Sequence, residues 1–168
     1  MIRQRTATTF MTMLLLLGYT AGSHGATTTS NLTVNTNIAA RASLVLASTT
    51  VNFPDADPTT VPSIAATENA VNVIARVRTG SSSLASLQVL AASDLTSGAN
   101  TIAIGNVTWT ATGTGFVAGT MNSATPQTAG SWTGSGEQIG TFSYFLANSW
   151  NYATGSYSTT VTYTLTAP

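Results

Sequence analysis

From Asn31 onward, apolar and polar side chains alternate along the chain. Leu32, Val34, Thr36, Ile38, Ala40, Ala42, Leu44 and Leu46 fall on one side, and Thr33, Asn35 and Asn37 on the other. A period of two is the mark of a strand with unlike faces. At about 3.3 Å per residue this run would extend about 50 Å, more than one layer of a β-domain usually offers. The pattern therefore predicts two strands, or one with a break near Ala39-Ala40-Arg41. Val51-Asn52-Phe53 is a short apolar piece, and the prolines at 54, 58 and 62 make the next stretch a loop rather than a central strand.

The next strand is clear. Val71, Val73, Ala75 and Val77 face one way, Asn72, Ile74, Arg76 and Arg78 the other, and Thr79–Ser83 turns the chain into Leu84–Ala91. Asp94–Gly98 reads as a turn, followed by short strands at Ile102–Ile104 and Val107–Ala111. Gly113–Gly140 is rich in Gly, Ser and Thr, with short strands expected at Phe116–Ala118 and around Trp132. Ile139–Ala147 and Tyr157–Thr166 alternate strongly again. About seven to nine strands, with no sustained 3.6-residue period beyond the first segment, predict an all-β fold: an immunoglobulin-like antiparallel β-sandwich. Gly155-Ser156-Tyr157, opening the last strand, fits the tyrosine corner that pins such sandwiches.

The first segment reads differently. Arg3 and Arg5 precede an apolar run from Phe10 to Tyr19, too short to anchor in a bilayer, and the small residues Ser23 and Gly25 come after it. This predicts a cleavable signal helix over residues 1–25, cut after Gly25 or, alternatively, after Ala26, and a domain over 26–168. The expected product is exported, extracellular or at the cell surface after periplasmic transit, and not inserted in a membrane. About 140 residues suffice for a two-layer core. That core must hold without disulfides, since the chain has no cysteine.

Threonine supplies 33 of 168 residues, which suits half-buried pleated surfaces. Beyond the signal peptide, three arginines stand against five carboxylates, a net charge of −2, so nothing there would neutralise phosphates, and nucleic acid is not an expected partner. The same region lacks His, Cys and Lys. Triads, thiol nucleophiles, zinc sites and Schiff-base lysines are thereby excluded, and neither enzymatic activity nor a cofactor is expected. Asp55 and Asp57 flank one alanine between two prolines; two carboxylates in a rigid turn are too few for calcium, so no metal is expected. Trp132 and Trp150 are candidate glycan-binding aromatics, the alternative being that indoles fill the core.

Asn31-Leu32-Thr33-Val34-Asn35-Thr36-Asn37-Ile38 resembles the N-terminal extension of chaperone–usher pilins, most closely the cysteine-free major pilins of the colonisation-factor class. The likeness continues through Val71–Thr79, Ser82–Ala91 and Gly155-Ser156-Tyr157 with its alternating strand, about half of the mature chain. Penultimate Ala167 departs from the family, which usually carries an aromatic there. Spore coat U-like proteins are a related, cysteine-bearing class. The residues from Tyr157 to Pro168 are also similar to the closing strand of WxL cell-wall-binding domains, although no Trp-x-Leu occurs. The pilin resemblance implies a sandwich lacking one strand, completed by residues 31–38 of another copy, with Leu32, Val34 and Ile38 entering its groove. It also implies a homo-oligomer or related subunits as partners, with a periplasmic chaperone and an outer-membrane usher. The reading from a different class is a monomeric secreted or surface domain that binds glycan or cell wall through Trp132 and Trp150.

Overall fold

A computed structural model describes residues 25–168, so the expected signal helix lies, Gly25 apart, outside the described residues. The chain divides into two units, Met1–Thr36 and Asn37–Pro168. In the first, residues 25–36 form neither helix nor strand, and their side chains are exposed. The second is all-β, with eleven strands, one short 3₁₀ turn and no α-helix among the described residues.

The larger sheet is antiparallel and runs β1 (Arg41–Leu46), β3 (Val71–Arg78), β10 (Gly136–Ala147), β7 (Val107–Thr112), β8 (Gly119–Thr120), with β2 (Ser63–Ala65) pairing the end of β10 beyond β3. The second sheet runs β11 (Val161–Thr166), β4 (Leu84–Ala91), β9 (Gln127–Thr133). β5 (Leu95–Ser97) and β6 (Asn100–Ile102) make a small hairpin. The inward residues of β3 are buried in strict alternation, as the sequence predicts, and those of β4 alternate likewise. Side chains from both larger sheets meet in one core, where Phe142 of β10 stacks on Tyr163 of β11 at 5.8 Å and Phe116 meets Trp132 edge-on at 5.0 Å.

Three expectations need correction. The long alternating run does not form two strands: residues 31–40 are coil, and the strand begins only at Arg41. The expected turn at Asp94–Gly98 contains β5, whose three residues pair with β6 across Gly98, the residue that takes the left-handed φ of 58° the tight turn needs. Eleven strands replace seven to nine because the hairpin and two edge pieces are only two or three residues long, too short for periodicity to reveal.

The two ends of the domain differ. At the lower end Arg41 lies opposite Arg78, and Thr79 donates to the Pro168 carbonyl. At the upper end, where β1 finishes, β3 starts and β11 begins, the loops 47–62, 66–70, 92–94 and 148–160 cluster. There Asn148 donates to the carbonyls of Ala56 and Val61, and the Tyr157 hydroxyl donates to the Ala153 carbonyl at 2.8 Å; Tyr157 lies in the loop before β11, which begins at Val161 and not at Tyr157 as expected.

Candidate partner-binding groove

Backbone hydrogen bonds lace the two sheets together along one side. There the segment Gly115–Val117 bonds to β9: Ser131 N–H donates to the Gly115 carbonyl and Val117 N–H to that of Ala129, both within 3.0 Å. Along the other side stand β1 and β11, each the terminal strand of its sheet. At the upper part of this side opens a groove of about 1740 Å³, lined by Leu44, Leu46, Val161 and Tyr163 and for the most part by the loops that follow β1 and precede β11, Val51 and Phe53 among them.

The backbone parity of β11 shows what this side offers. Thr160 accepts from Ala92 N–H, Ser158 and Thr96 exchange both bonds, and the register pairs Thr162, Thr164 and Thr166 with Leu90, Gln88 and Ser86. In an antiparallel ladder bonded residues alternate with unbonded ones. The even-numbered residues therefore turn their amides to the sheet, and Val161, Tyr163 and Leu165 direct theirs to the open side of β11, where Val161 and Tyr163 line the groove. The same three side chains point inward yet are only half-buried. On the facing edge, Leu44 and Leu46 are likewise half-buried. The seam thus presents unpaired backbone and partly covered apolar side chains together, the two things that an added strand satisfies.

The floor of the groove is built from aromatics. The hydroxyls of Tyr144 and Tyr163 lie 3.0 Å apart. Burial raises the pKa of both phenols above the ordinary tyrosine value; for Tyr163 the neighbouring Tyr144 charge adds to the rise. The upper wall is held by Glu68, whose carboxylate accepts the Asn52 backbone N–H at 2.7 Å and its side-chain amide, which lowers the Glu68 pKa to about 2. Asn52 is thereby fixed between Val51 and Phe53. Loop-borne groove residues such as Phe53 were signalled in the sequence only by the short apolar piece before the prolines.

Leu32, Val34 and Ile38, the candidate donor residues, are exposed at 88%, 83% and 64% and belong to no strand. Trp132 lies in the core at 6% exposure and donates from Nε1 to the Thr114 carbonyl at 2.9 Å. It stands opposite Ala85, at the lower part of β4. Trp150 is 72% exposed at the upper end, its indole N–H 3.2 Å from the Thr59 hydroxyl. The two indoles are therefore not brought together, and the expected pair of exposed aromatics reduces to Trp150. Asp57 uses one carboxylate oxygen to accept Thr59 N–H at 2.8 Å, closing its turn, and Asp55 is exposed beside it.

Fold and groove together define an antiparallel all-β domain with one open seam. No family model, no curated protein and no solved structure matches the chain.

Proposed function

We propose that the mature chain is an exported structural subunit of a surface fibre, an immunoglobulin-like sandwich that lacks one strand and polymerises by donor-strand exchange. Residues 31–38 of one copy fill the groove of the next, with Leu32, Val34 and Ile38 turned inward. The observation that carries this reading is the seam between β1 and β11, where unpaired amides and half-buried apolar side chains lie together. The alternating, unpaired segment at 31–38 is the complement such a seam requires. On the pilin resemblance, a periplasmic chaperone covers the groove before assembly and an outer-membrane usher exports the subunits.

The test compares the purified protein over residues 26–168 with a form lacking 26–38. The longer chain should form concentration-dependent oligomers and fibres seen by light scattering and electron microscopy. The shorter one should stay unextended and be stabilised by an added peptide of residues 26–38. A monomer of unchanged size and melting temperature in both forms would sink the proposal.

A second reading rests on Trp150, an exposed indole on a loop: a monomeric secreted domain that holds a glycan ring or cell wall on that face. Binding on a glycan array that is lost in Trp150→Ala would favour it over the fibre.

A further inference from the structure

Ionic side chains are sorted to the two ends of the domain. At the lower end Arg41 and Arg78 sit directly opposite each other on β1 and β3, both exposed. Arg76 is paired with Glu137 across β3 and β10, and neither Arg41 nor Arg78 has an ion-pair partner among the described residues. Like charges facing across a ladder destabilise it. At the upper end stand Asp55 and Asp57, Glu68 on Asn52, and Asp94, whose carboxylate accepts Ile104 N–H at 2.9 Å. Trp150 lies among them, bonded to the same Asp57–Thr60 turn. Seven residue steps of β3 alone put about 23 Å between the ends.

The donor segment leads into β1 through Ala39 and Ala40, so its own domain must begin within about 10 Å of Ile38. A donor antiparallel to β11 ends at the upper end of the receiving copy, and brings the next copy's lower end there. A parallel donor ends at the lower end, and sets two Arg41/Arg78 pairs against each other.

We infer that the upper end of one copy, bearing Trp150, Asp55 and Asp57, docks on the lower end of the next copy, bearing Arg41 and Arg78. This deepens the donor-strand reading and rests on it. The occupant of the exposed indole is then an arginine of a second copy, since a guanidinium stacks on Trp and is neutralised by adjacent carboxylates. The contact steers copies into one polarity before the strand seats.

Charge reversal tests this. At about 0.01 M salt, where screening reaches about 30 Å, Arg41→Glu/Arg78→Glu and Asp55→Arg/Asp57→Arg should each assemble about tenfold or more slowly than the wild type. An equimolar mixture of the two should recover the wild-type rate, because every junction in an alternating fibre is then matched. At about 1 M salt the differences should shrink. Binding of the 26–38 peptide to the shortened protein should be equal in all forms, which separates docking from groove damage. Cysteines added to this cysteine-free chain report direction: Thr33→Cys with Thr164→Cys or Thr166→Cys should link neighbouring copies, and Asn37→Cys with the same positions should not. Wild-type rates in both reversed variants at low salt, or linkage through Asn37→Cys between copies, would overturn the docking inference while fibres still form. If neither the fibre nor the peptide complex forms at any salt, the donor-strand reading itself falls, and the inference with it.

Discussion

Replacing Leu32, Val34 and Ile38 together by alanine removes the apolar content of the donor segment and leaves its backbone intact. In the free segment these side chains are 88%, 83% and 64% exposed, so nearly all the area of the first two, and two-thirds of the third, is gained on seating. At about 0.8 kcal/mol per buried methylene, the eight carbons lost amount to about 5 kcal/mol after allowing for the area already covered. That is a weakening of between about a thousandfold and about ten-thousandfold, at about 1.4 kcal/mol per factor of ten. The assay is calorimetric titration of the shortened protein with peptide 26–38 and its triple-alanine form. A triple-alanine peptide that binds within tenfold of the parent would show that these side chains do not enter the groove.

The geometry sets three further outcomes. Gly140→Ala places a Cβ against the Thr112 carbonyl and 2.5 Å from the Phe116 ring, and should cost at least about 1–3 kcal/mol in urea unfolding; an unchanged midpoint would mean that β7 and β10 can part freely. Tyr144 and Tyr163 have raised pKa values in the fold, so their contribution is whole below about pH 10, the ordinary tyrosine value, and is lost as pH rises above it. Thermal melts should therefore decline at alkaline pH, and less so in Tyr144→Phe/Tyr163→Phe relative to its own value at neutral pH. Glu68, held at about 2 in the fold against an ordinary 4.5, gives support that is present above pH 4.5 and lost as pH falls toward 2. The Asn52 amide resonance should shift over that window and stay still in Glu68→Gln.

How much of this could be read from the chain depends on how completely each strand is covered. β3 was legible residue by residue because one of its faces is wholly buried, so every second position must be apolar. In the run before β1 the same alternation continues past the point where pairing stops, since period two reports two faces and not the presence of a neighbour. The Gly-rich stretch was legible in part: the sequence predicts a short strand around Trp132, and β9 covers it. Glycines there read as loop signals, yet Gly130 lies within β9, and a Cβ on it would stand 2.7 Å from the Trp132 ring. Glycine at that position makes room for the Trp132 indole, which is buried in the core. The groove was out of reach for a further reason. Its lining comes from β1, β11 and loops separated by more than a hundred residues, which no local pattern joins.

Sheet edges bear on whether the seam is meant to stay open. An edge left bare invites pairing with other chains, and proteins blunt theirs by shortness, proline, bulges or cover. The larger sheet ends on one side in β8, only two residues long. The smaller ends in β9, which comes directly after Pro126, carries a register shift against β4, and has Gly115–Val117 bonded along its outer side. Those two edges are protected. β1 and β11 are six residues each, without proline or bulge, and the outward residues of β11 are threonines rather than charges. No lysine occurs anywhere in the sequence to guard them. Protection is thus missing along the one seam that also exposes apolar side chains. A monomer would gain from closing that seam, whereas the subunit of the donor-strand proposal needs it open, and the segment proposed to fill it lies immediately before β1.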